Sequence, residues 1–493
     1  MGKKIRNYKK IAMIDHLKVD IEKHTYESLR KIKELDSEKA LKLINKSKNI
    51  DSIITIEKEQ DCDYFKCKLF LETPIFGLEE FKDNILEEDE SMSFYQLGNV
   101  YNSDYNSIIK VNFPFKIPQI FKLYLSKVYT GSLENYDNKF QRLMIPLEKE
   151  FDIHMMTTKS VKYDEKVVFQ GIIEVNINLF NYHIFLYSNN ESKQFFLIID
   201  GLEKQSFINF KNSCEAILIS LGFLTGNLIL HQYYFLTSED HFFNKVENIF
   251  FQKNKSNIFS NNRIIDQSRF LDYLRQIEQE TKYKPWVKPM PKNTFDNLCS
   301  TVLNNSIYAR CCQIITEADQ TKHDLLKAGI FSIALETISG LIYEDNKEKI
   351  NPIQDKGKAR LIRHKLQKAL EEFNQKIPEE ALKIYTAKIN ELNKPTNSKK
   401  LSYPFQLYKI KLSVEEIEIL NHRNKFLHGT SPFEETELID KKYELKFIIA
   451  HLKFMINCLM LKYVGYSGHI VNNPGFMEYN TKKTVSNHLF KII

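Results

Sequence analysis

Glycine is scarce in this chain: 15 of 493 residues, about 3% against an average near 7%. Tryptophan occurs once and proline 13 times. A collagen-like repeat is excluded. Cysteine is sparse and irregular. The seven are Cys62, Cys67, Cys214, Cys299, Cys311, Cys312 and Cys458. An odd number without regular spacing argues against a disulfide framework and for a reducing compartment. Cys62 and Cys67 lack the second ligand pair that zinc needs, and adjacent Cys311 and Cys312 read as helix residues, so no metal site is expected. Long apolar runs are missing too. Ile217–Leu230 and Phe447–Val464 are broken by Gly222, Thr225, Asn227, His451, Lys453 and Lys462. Neither reads as a membrane span, and Met-Gly-Lys-Lys-Ile-Arg is no secretory start. A cytoplasmic protein without a membrane partner is expected.

What is present is ordinary for a soluble globular protein: 43% hydrophobic and 27% charged residues. A chain of this length has material for two or three domains. Its 70 Lys+Arg against 63 Asp+Glu give a net charge of +7, which over so large a surface points only weakly to nucleic acid.

The first fifty residues read as a helical segment, with Leu29, Ile32 and Leu35, then Leu41, Leu43 and Ile44, near helical spacing. Lys3, Lys4, Arg6, Lys9 and Lys10 could touch phosphate but read first as a solvated basic end. From 51 to 258 the pattern is that of strands. The segments 63–73, 108–115, 166–177, 181–188 and 194–199 are rich in Val, Ile, Phe and Tyr, and 166–177 pairs with 181–188 across a short loop. One helix, 206–224, interrupts them before Thr225-Gly226-Asn227 and a strand at 228–236. No phosphate loop, Gly-x-Ser-x-Gly or His-Glu-x-x-His occurs in this half. From 259 to 493 the spacing turns helical, with helices expected over 266–280, 294–317, 323–343, 358–375, 379–392, 414–428 and 435–463. The fold class is therefore α+β in two domains: a β-rich antiparallel N-terminal domain, then an all-α bundle.

One helix carries chemistry. Ser413 followed by Glu416 forms a capping box, and Gly429 supplies a left-handed stop, so the helix should span 414–428. Ile417, Leu420 and Leu427 make its expected buried stripe, which Asn424 interrupts. At about 100° per residue, Asn424 and His428 lie within about 40° of each other, and Arg423 lies about 140° from His428. A guanidinium, an amide and an imidazole gather at one helix end. An imidazole can take the proton of an RNA 2′-OH, and a guanidinium can stabilise charge on the phosphorane. The plainer account pairs Arg423 with Glu418 or Glu416 on a solvated face and lets His428 cap the carbonyl end.

Arg423-Asn424-Lys425-Phe426-Leu427-His428-Gly429 resembles the Arg-x4–6-His motif of the HEPN superfamily, in which a polar residue follows the Arg. The domain order and the Leu221-Gly222-Phe223-Leu224-Thr225-Gly226 turn resemble its Apea-like anti-phage branch, as does Ala334-Leu335-Glu336. The resemblance implies a metal-independent ribonuclease without a cofactor, working as a homodimer or higher oligomer through the bundle. Arg423 would hold the scissile phosphate, and His428 would act as base or leaving-group acid. Asn424 would orient His428 or contact RNA, and Glu336 would face the site and tune Arg423 or His428, the plainer account being an ordinary solvent-facing helix glutamate. RNA, tRNA by family analogy, would be the substrate. The N-terminal domain would sense a phage-derived trigger or restrain the nuclease.

Lys358, Arg360, Arg363, His364 and Lys368 would bind RNA, with Lys425 beside the motif. Arg360, His364 and Lys368 share one helical face. The competing account is a solvated face balanced by Glu371 and Glu372. Tyr403, Phe405 and Tyr408 are expected to pack in the bundle rather than stack on bases. Two other functions fit the same residues: a non-catalytic RNA- or nucleotide-binding HEPN protein, and a dimeric interaction scaffold. Exposed catalytic residues should change melting little when substituted.

Overall fold

The computed structural model describes residues 25–33, 41–44, 52–57, 65–71, 91–96, 99–104, 107–111, 119–148, 153, 156, 158–163, 166–189, 194–230, 232–254, 257–260, 264, 274–275, 280–286, 288–427, 438–480 and 488–493. The chain forms two compact units. The first comprises Met1–Phe259, Asp266–Gln276 and Lys288–Leu303; the second comprises Ser260–Ile265, Ile277–Val287 and Asn304–Ile493.

The first unit is built on an antiparallel sheet. Its strands are β1 (Leu41–Ile44), β2 (Ser52–Glu57), β3 (Phe65–Leu71), β4 (Ser91–Gln96), β5 (Asn99–Asp104), β6 (Ser107–Val111), β7 (Gln119–Leu125) and β8 (Lys127–Thr130). They continue as β9 (Phe140–Leu147), β10 (Thr158–Tyr163), β11 (Lys166–Ile177), β12 (Phe180–Asn189) and β13 (Gln194–Gly201). The short β14 (Asn227–Leu228) and β17 (Ile258–Phe259) pair with each other, while β15 (Gln232–Ser238) and β16 (Asn248–Lys253) join the large sheet. The spatial order is β10-β11-β12-β13-β9-β15-β16-β8-β5-β4-β1-β2-β3-β7-β6. The expected pairing of 166–177 with 181–188 is present, with Ile173 opposite Ile184 and Val175 opposite Tyr182.

Strand β9 lies between β13 and β15. Leu143, Met144 and Ile145 are all buried, so both of its faces are covered. One charge enters this apolar run. Arg142 is buried and binds Asp200, directly opposite on β13, through two hydrogen bonds of 2.7 and 2.8 Å. Its guanidinium also lies 4.4 Å from the Phe243 ring centroid. A buried charge persists only with such partners.

Helix α1 (Phe207–Thr225) starts where Ser206 accepts a hydrogen bond from the Asn209 amide. Phe207 meets Tyr136 and Phe235 at ring separations of 5.1 and 5.5 Å. The helix stops at Gly226, whose φ of 73° is left-handed and whose N–H donates to the Gly222 carbonyl. Helix α2 (Lys292–Asn304) falls in the first unit up to Leu303. A side chain ties it there: Asp296 accepts from the Asn176 amide of β11 at 2.8 Å.

The second unit is mainly helical. It contains α3 (Ser306–Ala318), α4 (Asp324–Asp345), α5 (Lys356–Glu371), α6 (Glu379–Glu391), α7 (Asn397–Leu407), α8 (Val414–Leu427), α9 (Leu438–Tyr463) and α10 (Asn473–Asn480). A two-stranded ribbon, β18 (His469–Val471) with β19 (Phe490–Ile492), adds to what the sequence reading treats as all-helical. Among the described residues α4 alone has the length and apolarity to cross a membrane. It buries Phe331, Leu335, Ile338 and Ile342 and packs against α3, α7, α8 and α9, as a core helix does.

Several expected elements differ. The single helix over 294–317 is two helices, because Asn305 caps the second with its side chain, accepting from the Ile307 and Tyr308 amides. Residues 25–33 are helical, but 41–44 form β1, which pairs with β2 and β4 on either side. Two partners outweigh a weak helical spacing. The basic residues Lys3 to Lys10 and nearly all of 266–280 lie outside the described residues. Helix α7 was not expected; it buries Leu401 and Phe405 despite Pro404 within it, while Tyr403 and Tyr408 are half-buried. Cys214, Cys299, Cys311, Cys312 and Cys458 are free and buried, and burial pushes the Cys311 thiol up to about 12.

A Cβ on Gly222 would stand 2.9 Å from Leu228 Cδ1 and 3.1 Å from its Cα. Gly222→Ala is therefore expected to destabilise the first unit by about 1–3 kcal/mol through overpacking. Thermal melts check this, and an unchanged midpoint would mean that β14 yields.

Candidate active site

The helix carrying the motif begins as its sequence dictates. The Ser413 amide donates to Glu416 Oε2 at 2.8 Å, and the Glu416 amide donates to Ser413 Oγ at 3.2 Å. This reciprocal cap fixes the start of α8. The same Glu416 is wholly buried and reaches further. Its Oε1 lies 3.0 Å from Lys491 Nζ on β19 and 3.6 Å from His451 Nδ1 on α9. Burial acts to raise the carboxyl, but His451, Lys491 and the Ser413 amide together hold it below the usual carboxylate range.

The buried stripe of α8 is rotated from the expected one. Glu416, Ile419, Leu420, Arg423 and Phe426 are buried, whereas Ile417 is 49% exposed and Leu427 only half-buried. Two charged residues sit on the inward face because each has a partner there. Arg423 Nε donates to Glu336 Oε1 on α4 at 2.8 Å. Its Nη1 reaches the Leu420 carbonyl at 3.5 Å, the limit of a hydrogen bond. Arg423 thus pairs with neither Glu416 nor Glu418, and it is not on a solvated face.

Close approach of the two helices makes this pair possible. Gly329 lies seven residues before Glu336, on nearly the same face of α4. A Cβ there would stand 3.2 Å from the Phe426 carbonyl oxygen. With Phe426 against Gly329 and Arg423 against Glu336, α8 runs antiparallel to α4. The Arg423 side chain is 7% exposed and that of Glu336 38%. Solvent therefore reaches the pair from the glutamate side.

The structure brings Arg423 and Glu336 together. Asn424 is on α8, but its side chain lies outside the described residues, as do His428 and Gly429. Lys425 is exposed on α8. Lys358, Arg360, His364 and Lys368 are exposed along α5. Arg363 is half-buried, and its buried Nε makes no hydrogen bond. Asp355 caps α5, accepting from the Gly357 and Lys358 amides, so the basic run starts at a defined end.

A second buried charge cluster was not legible in sequence. Lys453 on α9 donates to Asp319 at 2.6 Å, and Asp319 also accepts from Ser260 Oγ at 2.6 Å. Burial pulls the Lys453 amine below its ordinary value against the opposing pull of Asp319. Among the described residues no group of three or more His, Cys, Asp or Glu could hold a metal ion. Comparison with protein-family models, curated proteins and solved structures gives no match.

Because Arg423 is buried and paired, its substitution is not neutral for stability, contrary to the expectation for an exposed catalytic residue. Glu336→Ala and Arg423→Met should each destabilise the second unit by about 1–3 kcal/mol, less than the full cost of a broken buried pair because Glu336 is partly solvated. Melts of both variants and the double variant should show non-additivity; strict additivity would mean that the pair contributes nothing. Glu416 sets a pH dependence. Its folded-state carboxyl is depressed, so its contribution is full above the ordinary carboxylate range and lost as pH falls through the lower folded value. Wild type should lose stability more steeply than Glu416→Gln below about pH 4.5. Parallel slopes in acid melts would show that the carboxylate is not responsible.

Proposed function

We propose that the second unit is a HEPN-type endoribonuclease that cleaves RNA without a metal, in an anti-phage protein of the abortive-infection kind. One observation carries most of the reading. The Arg of the motif is held at Nε by the glutamate that the same resemblance picks out, 87 residues away. An arginine fixed in this way is preorganised, and its terminal nitrogens are the part that would meet a phosphate. Arg423 would stabilise the phosphorane, His428 would take the 2′-OH proton or protonate the leaving oxygen, and Asn424 would orient His428. Glu336 would position Arg423. The 2′-oxygen attacks phosphorus and the P–O5′ bond breaks, giving a 2′,3′-cyclic phosphate and a 5′-OH. The substrate class is structured RNA such as tRNA, approached through Lys425 and the exposed basic face of α5. Two copies would share one cleft through the bundle, and the first unit would sense the phage trigger. The site of action is the cytoplasm.

The deep burial of Arg423 favours a second reading, in which the pair only holds α8 on α4 and the bundle is an interaction scaffold. The two are separated by incubating wild type, Arg423→Lys and His428→Ala with total RNA in EDTA and mapping product ends. The same assay is run on RNA from phage-infected cells expressing each variant. Cyclic-phosphate and 5′-OH ends from wild type alone, with His428→Ala melting as wild type does, support the nuclease. Cleavage that disappears in EDTA or persists in both variants sinks it. Absence of cleavage by wild type even during infection favours the scaffold.

A further inference from the structure

The large sheet of the first unit ends in β2, β3, β7 and β6, in that order. Leu69 and Leu71 of β3 and Phe121 and Leu125 of β7 are buried on one face. The positions between them belong to the opposite face. These are Lys66, Lys68 and Phe70 on β3 and Ile120, Lys122 and Tyr124 on β7. Lys122 is exposed, and Lys68 and Phe70 are half-buried.

Register sets the lysines of this face in a row. Lys68 stands directly opposite Lys122, and Lys122 directly opposite Lys110 of β6. Simple alternation would not put Lys110 there. Ser107 pairs with Tyr124 and Ile108 with Leu123, so Ile109 is next in line for Lys122; the register shifts, and Lys110 meets it instead. Such a bulge moves a residue from one face to the other. The row is flanked on the same face by Phe70, opposite Ile120, and by Tyr124, opposite Lys66. The four strands carry Lys66, Lys68, Lys110 and Lys122 against a single acid, Glu57 of β2. Neighbouring strands are about 4.8 Å apart, and like charges directly opposite each other are destabilising. Lysines on an edge strand can guard it against pairing with another chain. That role accounts for Lys110 on β6. It does not account for Lys68 or Lys122, whose strands are paired on both sides.

We infer that this face of the first unit binds a single-stranded nucleic acid, with the lysine row on phosphates and Phe70 and Tyr124 against bases. Charge and ring placement together select the ligand. An extended polyanion neutralises the row along its length. An acidic peptide would match the charge but offers no planar groups to the two rings. A duplex keeps its base faces stacked inside, whereas a single strand presents them to aromatic side chains. The face lies in the first unit and the basic side of α5 in the second. The inference therefore does not rest on the ribonuclease reading. It gives a chemical class to what the first unit would recognise, where that reading leaves the trigger without one.

Fluorescence anisotropy of the full chain with a labelled oligothymidylate tests this. The probe has no 2′-hydroxyl, so the chemistry proposed above cannot cut it, and binding is read apart from nuclease activity. Wild type should bind it with an affinity that falls as salt rises. Lys68→Ala and Lys122→Ala should each weaken binding several-fold at low salt and lower the slope of log affinity against log salt by about 0.7. Phe70→Leu, which keeps an apolar side chain, should weaken it about fivefold through lost stacking. In melts without ligand, Lys122→Ala should be no less stable than wild type, because it relieves the like-charge row. A lower melting point would make Lys122 a structural residue and overturn the inference. So would a wild type that does not bind the probe, or lysine variants that bind as wild type does. A matched duplex that binds as tightly as the single strand overturns it, as does polyglutamate that competes as well as unlabelled oligothymidylate. Arg360→Glu with Lys368→Glu on α5 is the control: loss of binding in that variant alone places the probe on the second unit and overturns the assignment.

Discussion

The placement of α8 depends on one constraint: a charge taken out of water must meet a partner. Glu416 and Arg423 are seven residues apart, within about 20° on the helix. Both point inward. Their partners come from different elements, Lys491 of β19 and His451 of α9 for the first, Glu336 of α4 for the second. Leaving the wholly buried Glu416 unpaired costs about 3–5 kcal/mol, and breaking the partly solvated Arg423 pair about 1–3 kcal/mol more. Burying a large aliphatic side chain gains about 1.5–3 kcal/mol. Turning α8 by one residue to bury Ile417 would therefore lose more than it gained. That is why a large apolar residue stands in solvent on a helix that buries two charges.

The same constraint bears on the proposed chemistry. A phosphate approaching Arg423 also meets the negative charge of Glu336. The guanidinium can take it only by a side that the carboxylate does not hold, and Nε is held. The glutamate thus fixes the plane of the arginine and narrows the direction of approach. Solvent reaches the pair from the Glu336 side, so substrate entering from there passes the carboxylate first. Stability and the proposed catalysis would share one ion pair, and a substitution at Arg423 would speak to both at once.

Local patterns were legible in the sequence, and long-range partners were not. The β11–β12 hairpin, the Ser206 start of α1 and the capping box of α8 follow from neighbouring residues and stand where their patterns put them. The orientation of α8 was misread because apolar counting assigns Glu416 and Arg423 to the outside; their partners are 75 and 87 residues away in sequence. Glu336 was singled out only through the resemblance, since nothing near it in the chain marks it. The break at Asn305 hid inside an otherwise continuous helical spacing, where an asparagine serves as a cap. The attachment of α2 to the first unit turns on Asp296 and Asn176, 120 residues apart. Strand β1 has too few residues to separate helical from alternating spacing, and its two neighbouring strands decide it.

The α5–α6 hairpin is the converse of α8. Its helices are 16 and 13 residues long, close to the length at which an isolated helix is marginal in water. Ala359 is the only buried residue on α5, and α6 has none, so cross-helix packing alone gives them a small margin, and such elements occupy the low end of local stability.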